Sequence, residues 1–217
     1  MKKSIIIILL IILISFAVGI YLYPQMPEKI ASHWNAQGEV DGYMSKFWGL
    51  FLMPIISLAL FLLFLFIPKI DPLKANIEKF RKYFDYFMVI FFAFLFYLYL
   101  LTIAWNLGER FNMIQFLSPA FGTLFFYCGI MIENAKRNWF IGIRTPWTLS
   151  NEEVWKKTHD VGGKLFKIAG VIAFGGLILP NLALFLVLFP VLFFTLYVTV
   201  YSYLEYKKIV HVKKDKD

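Results

Sequence analysis

Six long apolar runs divide this chain, and few folds can bury so many of them. They are Ser4–Tyr23, Phe47–Ile67, Phe84–Leu107, Phe111–Ile132, Gly163–Leu179 and Asn181–Tyr203. Crossing a hydrocarbon core as a helix takes about 20 residues, and each run approaches or exceeds that length. Charged residues make up 17% of the 217 residues and apolar ones 60%, whereas a soluble domain carries about 25% charge. A bilayer is the solvent that tolerates this surplus. The first run follows Met1-Lys2-Lys3, but its apolar core exceeds the roughly 7–15 residues of a signal peptide and no small-x-small site follows, so it reads as an uncleaved span.

Lys and Arg alternate along the connections. The N-terminus holds 2, the first loop 2, the second 5, the third 1, the fourth (through Lys167) 7, the fifth none and the tail 5. One side thus collects 19 and the other 3. By the positive-inside rule both termini and the second and fourth loops are cytoplasmic. The expected fold is an all-α polytopic membrane protein with six transmembrane helices, N-in/C-in, in the plasma membrane. The net charge of +8 then reflects orientation, with no direct nucleic-acid partner. Membrane lipids are the partner the basic tail implies, through Lys207, Lys208, Lys213 and Lys214.

Trp48 and Trp105 fall at span ends and Trp34, Trp139, Trp147 and Trp155 in flanking loops, as an aromatic belt requires. Pro54, Pro119 and Pro190 lie within spans and mark helix shape. Pro180-Asn181 splits the last apolar stretch into a tight helical hairpin; a re-entrant hairpin is the alternative. Ala169 and Ala173, with Gly170, Gly175 and Gly176 nearby, let the fifth helix approach a neighbour closely. The single cysteine, Cys128, lies in an apolar run and reads as a core residue.

The span interiors carry no Asp, Glu, Lys, Arg or His; Asp85, Lys164, Lys167 and Glu205 sit near span ends, within reach of the interface. Ion-coupled transporters usually carry such groups within the membrane. No P-loop, dinucleotide fingerprint or H-E-x-x-H motif is present. His33 has Glu28, Glu39 and Asp41 in its loop but no second His or Cys nearby, so no metal site is assigned. His159, with Asp160, Glu152 and Glu153, offers acid–base groups, but a solvated interfacial helix uses them equally well. His211 lies in the basic tail. The expectation is no catalytic residue, no cofactor and no enzyme.

Two polar loops carry more information. The first, 24–46, opens with Pro24 and Pro27, which stop the first helix. A short extended stretch, Ile30–Trp34, follows, and Gln37-Gly38 and Asp41-Gly42 are turn signals. A compact external hairpin is expected, with Trp34 and Tyr43 on the membrane surface. The second loop reads Asn138-Trp-Phe-Ile-Gly-Ile-Arg-Thr-Pro-Trp-Thr-Leu-Ser-Asn-Glu-Glu-Val-Trp155. Gly142 permits a bend and Thr145-Pro146 an extended approach. Ser150 with Glu153 forms a capping box for a helix over Asn151–Val161. Val154, Trp155, Thr158 and Val161 share one face of it, so it reads as a short cytoplasmic amphipathic helix in the headgroup plane, before Gly162-Gly163 turns the chain back into the membrane. Arg144 can bind lipid phosphate or hold loop carbonyls.

This second loop resembles the signature N-x-x-I-G-I-R-T-P-W-T-L-x-x-E-x-V-W of the SdpI-type immunity and signalling family. The first, P-x-x-I-x-x-H-W-N-x-x-G-x-x-D-G-Y, resembles the membrane domain of unknown function that often precedes it. The resemblance divides the chain into an N-terminal membrane domain at 1–70 with external loop 24–46, a linker and third span at 71–110, an immunity domain at 111–205 and a basic cytoplasmic tail at 206–217. It implies a protein giving resistance to a secreted antimicrobial peptide toxin, which can also sequester a cytoplasmic transcriptional repressor at the membrane. On this chain it points to Asn138, Gly142, Arg144, Thr145, Pro146, Trp147, Thr148, Glu153 and Trp155 as a functional loop. It points to Pro27, His33, Trp34, Asn35, Gly38, Asp41 and Gly42 as an external sensor loop. The competing readings are a transporter or exporter of a hydrophobic peptide or lipid, and a general envelope-stress membrane protein.

Overall fold

The computed structural model describes residues 2–214. The last three residues of the basic tail lie outside them. Six helices are long and apolar enough to cross a membrane. They are α1 (Lys2–Leu22), α2 (Lys46–Ile70), α4 (Arg81–Asn106), α5 (Met113–Asn134), α7 (Glu152–Ile178) and α8 (Ala183–Lys214), with the short helices α3 (Lys74–Lys79) and α6 (Pro146–Ser150) between them. A 3₁₀ turn at Pro180–Leu182 joins α7 to α8, and by length and composition each of these helices can span, which favours the helical hairpin over the re-entrant one. An even number of spans returns the chain to the side on which it starts.

The surface is apolar along the spans: Leu13, Ile20, Phe66, Val171, Phe185 and Leu196 are exposed. With lipid as apolar as leucine, helices associate through close packing and hydrogen bonds. The two halves do this differently. In the N-terminal half, α1, α2 and α4 interlock bulky side chains; Phe61, Phe84 and Phe92 are buried, and Phe64 packs edge-on against Phe91 and Phe92 at 5.5 and 6.1 Å. Tyr99 Oη also donates to Ser15 O at 3.1 Å, tying α4 to α1. In the C-terminal half, α5 and α7 meet backbone to backbone. A Cβ on Gly170 would lie 2.6 Å from Gly122 O, and one on Gly163 would lie 2.7 Å from Gly129 O. Glycine at both ends of each contact, spaced seven residues apart on each helix, makes the seam possible; of the small residues of the fifth span, Gly170 stands in it and Gly176 meets Ser118 of α5, while Gly175 faces Leu186 of α8.

The proline inside α5 is accommodated locally. Pro119 cannot donate to Gln115 O, and Ser118 Oγ bonds that carbonyl at 2.7 Å instead. Three of the charges near span ends form pairs within the protein. Lys167 Nζ lies 2.7 Å from the Glu133 carboxylate across the α5–α7 seam, Arg81 Nε lies 2.7 Å from Asp85, and Glu205 meets both Lys157 and Lys208.

The expected hairpin forms, with strands β1 (Lys29–Trp34) and β2 (Val40–Ser45), antiparallel and bulged around His33. Two details differ. Asp41-Gly42 lies inside β2 and is not a turn; the turn is built by Asn35, whose Oδ1 accepts from Gln37 N and Glu39 N at 3.0 and 2.9 Å, with Gly38 at φ +81°. Trp34 also does not simply rest on the membrane surface, because it packs edge-on against Trp105 at the end of α4, 5.6 Å away. Asn106 fastens the outer edge of β1: its Oδ1 accepts from Ala31 N at 2.8 Å and its Nδ2 donates to Ala31 O at 3.0 Å.

Candidate functional site

At the opposite end, residues 135–150 form a loop held almost entirely by side chains bonded to backbone. Asn138 is fully buried. Its Nδ2 donates to Lys136 O and Ile141 O, both at 2.8 Å, and its Oδ1 accepts from Phe140 N at 2.9 Å and Ile141 N at 2.6 Å. An amide has two donors and two lone pairs on its oxygen, so every bonding position is used. Gly142 follows at φ +114°, a region that a side chain disfavours. A Cβ there would also collide with Nε2 of His159.

His159 explains the bend. Its Nε2 accepts from Ile143 N at 3.0 Å and its Nδ1 faces Trp155 O at 2.8 Å. This pattern assigns a neutral ring with the proton on Nδ1, donating to Trp155 O. Trp155 stacks on the same ring with centroids 3.9 Å apart, and its Nε1 donates to Ala135 O at 2.9 Å. Both ring nitrogens are thus committed to backbone. The arrangement can hold a loop; it presents no free imidazole nitrogen for proton transfer.

Threonines close the second half. Thr145 caps α6 by accepting from Thr148 N at 3.2 Å, and Thr148 Oγ1 accepts in return from Thr145 N at 2.9 Å. This reciprocal pair, Thr145 with Thr148, is the capping box here. Ser150 with Glu153 is not: Ser150 Oγ turns back to Trp147 O, and Asn151 caps α7 by accepting from Glu153 N and Val154 N. Nor does a separate interfacial helix exist over Asn151–Val161. α7 runs unbroken from Glu152 through Gly162 and Gly163, and the face bearing Val154, Trp155 and Thr158 is buried against protein. Gly162 and Gly163 serve close packing, against Ile143 and Glu133 respectively.

The remaining residues of the motif sit around this knot. Arg144 is exposed and donates to Trp139 O at 2.9 Å, so of its two readings the structure shows the carbonyl contact. Trp147 packs on Tyr203 of α8 at 5.0 Å, while Pro146 and Glu153 face outward, Glu153 pairing with Lys157 at 2.9 Å. Sequence reasoning missed the partners contributed from a distance. Asp71, buried after α2, accepts from Trp139 N at 2.9 Å; Asn76 donates to Arg137 O at 2.8 Å; Ser202 Oγ meets Thr145 Oγ1 at 3.0 Å. A cavity of about 350 Å³ opens beside the knot, its wall carrying Glu133, Lys136, Arg137, Glu152, Lys156 and Asp160.

At the hairpin end, His33 Nδ1 lies 2.5 Å from Asp41 Oδ1, and Gly42 packs under the His33 side chain. Pro27 precedes β1. Among the described residues, no group of three or more His, Cys, Asp or Glu is placed to hold a metal ion.

The knot lies within a segment, residues 134–202, that matches the model of the SdpI/YfhL protein family, and residues 10–58 match a domain of unknown function, DUF1648. The chain is 30% identical over 172 residues to the Immunity protein SdpI of Bacillus subtilis (strain 168), covering 79% of this chain and 80% of that one. This chain belongs to the SdpI/YfhL family. With its six apolar helices it is a multi-pass protein of the plasma membrane. No solved structure matches it.

Proposed function

We propose that this SdpI-family chain is a non-enzymatic membrane immunity protein that protects its host cell against a secreted peptide toxin. The observation that carries the reading is the relationship to Immunity protein SdpI across most of both chains. The imbalance of 19 basic residues against 3 sets the orientation, with the hairpin outside and the 135–150 knot in the cytoplasm. In that orientation the hairpin meets the peptide.

The knot and its charged cavity then face the cytoplasm, where a transcriptional repressor would dock. Lys136, Arg137 and Lys156 stand there together with Glu133, Glu152 and Asp160, a mixed-charge surface suited to selecting a protein partner. The test is survival and membrane potential of a sensitive bacterium challenged with a pore-forming peptide toxin, with and without the chain. Preserved potential with the protein inserted supports immunity; depolarisation despite insertion removes it for that toxin. Co-migration of a repressor with membranes only in the presence of toxin tests the second part.

A further inference from the structure

Beneath the hairpin lies a cavity of about 440 Å³, a size typical of ligand sites. Its floor gathers Met53 of α2, Leu98 of α4, Met113 and Leu117 of α5 and Leu184 of α8, so both halves of the bundle contribute. The roof is the polar stretch of the hairpin around His33 and Asn35.

The charge of the rim selects a guest. His33 holds Asp41, and Asn35 Nδ2 donates to Glu39 at 3.4 Å, so two residues of the lining each bond a carboxylate that stands just outside it. The lining residues include neither Lys nor Arg. A phosphate headgroup would meet these carboxylates with no lysine or arginine in the lining to offset them, whereas a cationic group is attracted. The wall adds an indole: Trp34 Nε1 is buried without an acceptor among the described residues. An unmade bond of this kind is costly, and a small shift of the ring toward the cavity would let a guest carbonyl satisfy it.

We propose that this cavity binds an apolar, cationic peptide segment, its aliphatic side chains on the floor and its positive charge at Glu39 and Asp41. This deepens the immunity reading and rests on it for equating such a peptide with the toxin; the binding chemistry stands separately.

The test uses the full chain in phosphatidylcholine nanodiscs. The probe is an acetylated, amidated peptide of two lysines followed by four leucines, and empty discs are the reference. The expected result is saturable binding above that of empty discs, with a shift of one indole N–H resonance that is absent from Trp34→Phe protein. Leu117→Trp and Ile114→Trp fill the cavity from different positions, and each is expected to weaken binding about tenfold or more. The Glu39→Gln/Asp41→Asn pair should weaken it about threefold and flatten its salt dependence. Binding no greater than to empty discs, or binding that both cavity-filling variants leave intact, overturns the proposal. So does a Trp34 resonance moved by phosphatidylglycerol and not by the peptide. Wild-type survival under toxin is scored separately: protection without peptide binding removes the cavity and keeps immunity, and binding without protection does the reverse.

Discussion

The two ends of the bundle return the chain to the membrane in opposite ways. The hairpin is held up by a few anchors, chiefly Asn106 on Ala31 and the Trp34–Trp105 contact, and keeps polar groups at the mouth of a cavity. The 135–150 loop instead spends Asn138, Thr145, Thr148, Trp155 and His159 on its own or adjacent backbone. A dense motif is therefore not in itself a binding surface. Here most of its residues hold a shape, and the charged groups line the cavity beside it.

Matched substitutions at the two ends sharpen this contrast. Gly142→Ala should have the largest effect, because strain at φ +114° adds to the collision with His159. A cost of about 3 kcal/mol or more is expected, read as a large fall in the thermal midpoint in nanodiscs. Gly38→Ala, at φ +81° with only the flexible Asn112 side chain nearby, should cost about 1–2 kcal/mol. Equal losses at both positions would break the comparison.

Asn138→Asp comes next. It removes two buried donors and abandons the carbonyls of Lys136 and Ile141, for about 3 kcal/mol. Asn35→Asp keeps the oxygen that accepts from Gln37 and Glu39 and should fall within about 1 kcal/mol of wild type by the same unfolding measurement. His159→Phe preserves a ring for Trp155 to stack on but leaves Ile143 N–H without its acceptor, at about 1–3 kcal/mol. Protection retained in membranes where this variant inserts normally would further separate holding the loop from any chemistry at the ring. The smallest effect is expected at Arg110→Ala, where an exposed guanidinium 3.9 Å above the Trp105 ring contributes about 0.5–1 kcal/mol.

Particular residues show how far the sequence could be read. The spans emerged because a bilayer imposes a length and a polarity that no other environment requires. The apolar face of Val154, Trp155 and Thr158 is equally visible in the sequence, where it reads as facing lipid headgroups. Periodicity states that a face is apolar and is silent on what covers it; the rest of the bundle covers it. Asp41-Gly42 carried a turn composition but lies in a strand, because Asn35 had already closed the turn with Gly38. His159 looked like a solvated histidine because its partner, Ile143 N–H, lies 16 residues away across a bend.

The sequence by itself determined six membrane-length helices, the asymmetry of charge between their ends, the hairpin and the family. These follow from local composition and from short ordered motifs, which survive without knowledge of neighbours. The tertiary structure alone decided that Asp71, Asn76 and Ser202 hold the motif loop, that glycines on α5 and α7 face one another, and that helices from both halves meet beneath the hairpin around a cavity. Those features are contacts between segments far apart in the chain, and no pattern within one segment records which other segment will close against it.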